Sequence, residues 1–511
     1  MIWTSMSDDV SVPVGELGDE PVAGGFVRPR RRIFISTSSL FASNIALAAL
    51  GALALRLMTH RLGPSSYGVF VAAGTFVSTW ELLTDLGINA LGGREIARSP
   101  EDAGRILSHN LGLRLSLSAV LIPIVWVVGD LVYRSSPGEV RFGVLIVAIS
   151  VPFDAIRAVS LAYYVASISN HWVAAINLLQ QVLWVGGLAL ALAMGAGVRG
   201  CFCAYLASMV VLATVAYLAV HRQVPFRPRF SIAEWGLIIR QSITIGIIGI
   251  VNYAYLKADI ILLSVMTSVY QVAIYGVAYA IINFFLFISS AFMTSVLPLL
   301  TRSRQDELNT VVEWSVAYMA SIGCLIAAGI ICLGSQAVRM LAGSKFASSV
   351  APLSILAISV VFSGLTNVFG YAAFARNRHQ KLIYVSISSL VLNVVLNVIA
   401  IPRWGVRGSA GATVVSEAFV LAGTYAVFRY AVGIRTAVVG ALIRPAIAAG
   451  TVIGVFRFWL WSPHAGAALS LLVGVGVIVL FVTVLALLGG LPPELRTVGR
   501  RMLNTALHRE Q

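Results

Sequence analysis

Twelve charged side chains stand inside long apolar stretches of this 511-residue chain: Glu81, Asp85, Asp154, Asp259, Glu417, Arg56, Arg114, Arg157, Arg240, Lys257, Arg444 and Arg457. In a lipid bilayer each costs at least about 2.5–3.5 kcal/mol near the centre, so such residues mark paired or working positions. Bases outnumber acids in the set, and a guanidinium can grip a phosphate through two parallel hydrogen bonds. Arg56, Arg114, Arg240 and Lys257 are therefore the candidates for binding an anion such as a diphosphate.

Spacing separates pairs from working groups. Asp154 and Arg157 are three residues apart, which puts them on one helix face within reach of each other. Asp85 and Arg114 lie at similar depths on consecutive segments, about 9 Å and about 12 Å from the same membrane face at a helical rise of 1.5 Å per residue. A structural ion pair is expected there too, which leaves Arg114 with two readings. Arg56 has no acid at matching depth on the next segment. Lys257 and Asp259 are two residues apart, a turn of about 200° on a helix, so one should face a cavity and the other a neighbouring helix. Asn252, Tyr255 and Asp259 share a face, as do Asn393 and Asn397. With Glu417 they supply carboxylate and amide oxygens suited to a hard coupling cation. The same groups could instead tie helices together by hydrogen bonds. Arg444 and Arg457 can snorkel to the headgroups.

These residues need helices in lipid to hold them. Hydrophobic residues make up 58% of the chain and charged ones 11%, against about a quarter charged in soluble domains. Fourteen apolar segments are expected, at about 33–57, 66–91, 106–129, 139–165, 171–194, 198–220, 233–265, 271–301, 308–334, 349–374, 380–402, 407–429, 436–459 and 465–489. The fold class is thus all-α and polytopic. A polar tail covers 1–32 and is expected to be disordered, and a basic tail covers 490–511. The net charge of +15 does not point to nucleic acid, because the arginines sit in short loops rather than on one soluble face. With the N-terminus in the cytoplasm, the tails and even-numbered loops carry about 21 Lys and Arg and the opposite loops about 8. That asymmetry places both termini in the cytoplasm of an inner (plasma) membrane protein. The four cysteines lack zinc-site spacing, and no metal or cofactor is expected.

The chain also repeats itself. Tyr67-Gly68-Val69, Ala72 and Phe76 recur as Tyr275-Gly276-Val277, Ala280 and Phe284, an offset of 275 − 67 = 208. Val198-Arg199-Gly200, Ala204 and Ser208 recur at the same offset as Val406-Arg407-Gly408, Ala412 and Ser416. The offset maps segment 1 onto 7 and 6 onto 12, which gives a parallel repeat about an axis along the membrane normal. Two six-helix lobes are expected, 33–220 and 233–430, with two further helices over 436–489. A substrate site between such lobes suits alternating access.

Two stretches carry a family resemblance. One has Leu62-Gly63-Pro64, Tyr67-Gly68, Asp85-Leu86-Gly87 and Arg94-Glu95-Ile96-Ala97-Arg98. The other has Arg376, Asn393, Asn397, Ile401-Pro402, Gly405, Gly408 and Ser416-Glu417. Over about 33–430 the chain resembles the polysaccharide, or O-antigen, flippases of the multidrug/oligosaccharidyl-lipid/polysaccharide exporter superfamily. The resemblance implies a flippase that moves a polyprenyl-diphosphate-linked oligosaccharide from the cytoplasmic to the outer face. It implies work among membrane lipids, beside a polymerase or glycosyltransferase of the same pathway, and no enzymatic activity. A drug or metabolite exporter of the same superfamily is the alternative within transport. A membrane polymerase or ligase is the alternative outside it, and would call for a large outer loop with acid/base clusters, which the short loops here do not provide. No Gly-x4-Gly-Lys-Ser/Thr loop is present for ATP.

Overall fold

The computed structural model describes residues 29–376, 378–433, 437–457 and 467–490, with the side chains of 29–45, 306, 379 and 467–471 excluded. The expected N-terminal tail before residue 29 and the basic tail after 490 fall outside these descriptions.

Every regular element among the described residues is helical. In order they are α1 (Pro29–Asp85), α2 (Ile88–Arg98), α3 (Ala103–Val132), α4 (Gly138–Ala166), α5 (Asn170–Ala193), α6 (Gly197–His221), α7 (Ile232–Met266), α8 (Val269–Arg302), α9 (Gln305–Ala342), α10 (Val350–Ala375), α11 (Leu382–Val432), α12 (Val438–Val455) and α13 (Ala467–Leu487). Ten are long and apolar enough to cross a bilayer, or eleven if the bent pair 46–85 and 88–98 forms one span.

Two of the helices are longer than any single crossing. The 57 residues of α1 would reach about 85 Å and the 51 of α11 about 76 Å, against a hydrocarbon core of about 30 Å. Each breaks at a glycine. Gly63 has φ 75° and ψ 178°, and Pro64 restarts the helix behind it. Gly405 has φ 54° and ψ −133°, three residues after Pro402. Both φ values lie where only glycine is at ease. The expected segments 33–57 and 66–91 are thus the two arms of α1, and 380–402 and 407–429 those of α11. Two expectations change. Helix begins at Pro29, inside the segment read as a tail. The second segment ends at Asp85 rather than 91: Leu86 (φ 41°) and Gly87 (φ 79°) turn the chain, and α2 leaves at 41°. The i,i+4 pair Arg94 and Arg98 makes α2 too polar on one face to continue a lipid-facing span.

Packing gathers α3, α4, α5 and α6 around α1, and α7 and α9–α11 around α8. The helices α12 and α13 lie against α9. The two halves meet through α1 on one side and α7 and α8 on the other. The repeated motifs sit at this junction. A Cβ on Gly68 would lie 1.8 Å from the Val269 carbonyl oxygen, and one on Gly276 would lie 3.3 Å from the methyls of Val71. Each copy of Tyr-Gly-Val therefore lets the opposite half approach its backbone. The repeat extends to the helix breaks: Gly197 (φ 61°) and Gly405 (φ 54°) are also 208 apart.

A prediction follows from that contact. Gly68→Ala should destabilise the protein by about 1–3 kcal/mol, because the obstructing atom is backbone and cannot swing away. Gly74→Ala is the control, since nothing lies within 4 Å of a Cβ there. Thermal unfolding in detergent should separate the two variants. Equal melting temperatures would show that the halves do not pack at Gly68.

Candidate functional site

A cavity of about 360 Å³ lies at the junction between the halves. Its wall comes from both arms of α1, with Leu55, Tyr67 and Ser78, from Trp184 on α5, and from Tyr253, Lys257 and Tyr279 on α7 and α8. Several contacts cross the junction near it. Tyr253 donates to Ser78 Oγ at 2.7 Å across the junction. Beyond that bond, towards the arginine-rich ends of the helices, Gly87 and Gly246 bring α1 and α7 so close that a Cβ on either would sit under 3.0 Å from the other's backbone. At the opposite end Tyr133 on α3 and Ser264 on α7 share a hydrogen bond of 2.7 Å. Arg56 and Thr59 donate there to the carbonyls of Met340 and Leu341 at the end of α9.

The four candidate anion-binding residues are not brought together. Lys257 lines the cavity, with its ammonium over the Tyr279 ring at 5.0 Å and no salt bridge among the described residues. Asp259 turns the other way, as the 200° spacing requires. It accepts from the Tyr275 hydroxyl at 2.5 Å and the Ile260 amide at 2.7 Å. Arg56 is committed to the Met340 carbonyl. Arg114 is 2% exposed and lies 3.4 Å from Asp85, so its charge is answered within its own half. Arg240 is exposed on α7 and lines no part of the cavity. The basic surplus of the sequence thus reaches the cavity as one ammonium group, because Arg56 is spent on a helix-end carbonyl, Arg114 on a carboxylate, and Arg240 lies on the exposed face of α7. Arg444 follows the same rule, donating to the Gly489 carbonyl at 2.9 Å.

A charged cluster fills the first half beside the cavity. Arg157 bonds Asp154 at 2.5 Å, the expected pair. Glu81, one turn from Ser78, joins it: its carboxyl lies within hydrogen-bonding reach of Asp154 and within the fields of Arg114 and Arg157. Spacing alone gave no partner for Glu81, because Asp154 comes from a different helix 73 positions later.

The second half holds a separate cavity of about 650 Å³, bounded by α7, α8, α10 and α11. Asn252 and Glu417 line it. Glu417 accepts from Tyr255 at 2.9 Å. Asn397 donates to the carbonyl of Asn393 at 2.9 Å and to its Oδ1 at 3.1 Å, Asn393 donates to Ser416 at 3.2 Å, and Ser409 donates to Asn397 Oδ1 at 2.7 Å. Asp259, Asn393, Asn397 and Glu417 thus each hold hydrogen bonds, mostly between α7, α8 and the two arms of α11. The five candidate cation ligands divide among these sets rather than converging on one point. Tyr255, which spacing placed on the face of Asn252 and Asp259, completes one of them, and Tyr275, which spacing on a single helix did not point to, completes another.

A family model described as "Polysaccharide biosynthesis protein" matches residues 56–351. The chain is 23% identical over 387 residues to the "Probable low-salt glycan biosynthesis flippase Agl15" of Haloferax volcanii, which covers 75% of this chain and 80% of that protein. Its fold is similar to that of the lipid II flippase MurJ in an inward closed conformation, with a TM-score of 0.74 and 14% identity over 88% of this chain and 98% of the other. It is also similar to an outward-facing multidrug resistance transporter of the MATE family, with a TM-score of 0.59 and 16% identity over 79% and 96% of the two chains.

The Asp85–Arg114 contact supplies a test of charge pairing. Asp85→Asn should destabilise by about 3–5 kcal/mol, because it strands a buried guanidinium. Adding Arg114→Gln should recover part of the loss. Unfolding temperatures of the two single variants and the double variant give the coupling. Wild-type stability in Asp85→Asn would show that Arg114 is held by something else.

Proposed function

The chain belongs to the polysaccharide biosynthesis protein family, and from that premise we propose that it is a flippase for a polyprenyl-diphosphate-linked oligosaccharide, moving it from the cytoplasmic to the outer face of the plasma membrane. It is a membrane transporter and not an enzyme. The observation that carries the substrate reading is Lys257: a cation with no salt bridge among the described residues, set in the wall of the cavity between the repeat-related halves. An ammonium without a salt bridge in a low-dielectric cavity favours an anionic ligand, and a diphosphate is the charged part of the proposed substrate.

The cavity of about 360 Å³ is too small for an oligosaccharide. Transport therefore requires the halves to separate at one end and then at the other. The contacts that must break differ between the ends. At the arginine-rich end they are the Gly87–Gly246 approach and the Ser78–Tyr253 bond. At the opposite end they are the Tyr133–Ser264 bond and the bonds of Arg56 and Thr59 to α9. A few hydrogen bonds of about 0.5–1.5 kcal/mol each are weak enough to exchange in such a cycle. The relatives support this reading by name, one as a probable glycan biosynthesis flippase and one as a lipid II flippase in an inward closed conformation. We place fourteen spans in the membrane with both termini cytoplasmic, the lobes being 33–220 and 233–430.

Reconstitution tests the proposal. Vesicles carrying the protein and a polyprenyl-diphosphate-linked oligosaccharide in both leaflets are treated outside with an impermeant glycosidase. Wild-type protein should expose the inner-leaflet half of the substrate, whereas protein-free vesicles should protect it. Equal protection in both would contradict flipping.

A further inference from the structure

The segment that joins the halves, between α6 and α7, does not hang free. Gly104, Ser108 and Gly112 form an i, i+4, i+8 stripe of small residues along the start of α3, and the segment lies in it. A Cβ on Gly112 would fall 2.0 Å from the Arg229 carbonyl oxygen, and one on Gly104 would fall 3.0 Å from that of Pro225. The Arg229 amide donates to the Ser108 carbonyl at 3.0 Å and the Arg227 amide to Ser108 Oγ at 3.3 Å. Tyr217 on α6 donates to the Phe226 carbonyl at 2.9 Å. The backbone of 225–229 is thereby fixed against the first half.

Between this segment, α3 and α6 lies a cavity of about 670 Å³. Arg105, Arg227, Arg229, His221 and Glu101 line it. Arg105 is engaged with Asp102 at 3.2 Å. The guanidinium groups of Arg227 and Arg229 have no ion pair among the described residues. Counting Glu101 and Asp102 against the three arginines leaves one net positive charge. Apolar groups continue the segment directly: Phe230 is 67% exposed and Ile232 is 84% exposed. Phe230 packs edge-on against Trp235, whose buried Nε1 has no acceptor among the described residues. Exposed apolar residues and a tryptophan beside unpaired arginines are the composition of a bilayer interface.

We infer that this cavity is a binding site for the headgroup of an anionic phospholipid, with Arg227 and Arg229 on its phosphate and Phe230 and Ile232 against its acyl chains. The single net charge of the site matches a phosphodiester, which carries one negative charge, better than a free phosphate. Basic pockets between membrane helices on the cytoplasmic side recognise lipid headgroups in this way. A lipid held here ties the connection between the two halves to the bilayer. The site is distinct from the cavity at Lys257, so it stands or falls independently of the proposed substrate.

Native mass spectrometry of the full-length protein tests the site, with phosphatidylglycerol and phosphatidylcholine titrated separately and no transport measured. Wild type should retain phosphatidylglycerol preferentially. The Arg227→Gln/Arg229→Gln variant should lose that retention by roughly 25-fold, about five-fold for each arginine near the surface. Arg302→Gln, which removes an exposed charge from the end of α8, should not. A second measurement needs no variant: phosphatidylglycerol vesicles should slow tryptic cleavage after Arg229 in the wild type, and phosphatidylcholine vesicles should not. Equal retention of the two lipids, undiminished retention in the double variant, lipid-independent cleavage, or displacement of phosphatidylglycerol by millimolar inorganic phosphate would overturn the assignment.

Discussion

Inside hydrocarbon no water is present to answer a charge or a peptide group, so each must find its partner within the protein. The pattern of charges in this chain follows from that constraint. Arg114 is answered by Asp85, and Arg157 by Asp154. Arg56 and Arg444 reach carbonyls at helix ends, which the helix itself leaves without donors. Asp259 and Glu417 accept from tyrosine hydroxyls. Among the described residues Arg240 and Arg457 are exposed, and Lys257 is left at the junction of the halves without a salt bridge, over the face of Tyr279 and within the field of Asp259. A cation–π contact of this kind contributes about 0.5–2 kcal/mol, less than a buried charge costs to desolvate, so the site retains a preference for an anion.

The same constraint makes the junction selective about shape. Helices in lipid associate by close packing, with small residues where backbones meet. The duplicated Tyr-Gly-Val supplies such a residue to each half, and Gly87 with Gly246 supplies another pair. The contacts are tight but few, and they lie at the two ends of a cavity. A junction built this way can open at one end while the other holds. The charged cluster of Glu81, Asp154 and Arg157 lies beside it in one half, whereas the other half answers its acids with tyrosines. The repeat is thus symmetric in backbone and asymmetric in charge.

Local spacing made some of this legible in the sequence. Asp154 and Arg157 are neighbours because they are three residues apart on one helix, and Lys257 and Asp259 diverge because they are two apart. Equal depth on consecutive spans was enough to pair Asp85 with Arg114. The fold class followed from apolar segment length, and Leu62-Gly63-Pro64 marked the break in α1. What spacing missed depends on contacts between distant helices. The acceptor for Arg56 is a peptide carbonyl 284 positions away, which no side-chain pattern encodes. The partner of Asp259 is a tyrosine on another helix, and tyrosine in an apolar run reads as packing; Tyr255 was legible on the face of Asn252 and Asp259, but not as the donor to Glu417 162 positions away. The turn at Leu86 escaped notice because a leucine with φ 41° is held there by its tertiary setting, not by its own preference.

The central claim is that Lys257 is the charge left available in the junction cavity for an anionic substrate. Binding of a polyprenyl diphosphate to wild type, Lys257→Arg and Lys257→Gln, measured at equilibrium in detergent, tests it most directly. A charge-assisted hydrogen bond of about 1.5–3 kcal/mol predicts that Lys257→Gln binds roughly 10- to 100-fold more weakly, while Lys257→Arg keeps most of the affinity. Wild-type affinity in a folded Lys257→Gln variant would contradict the account.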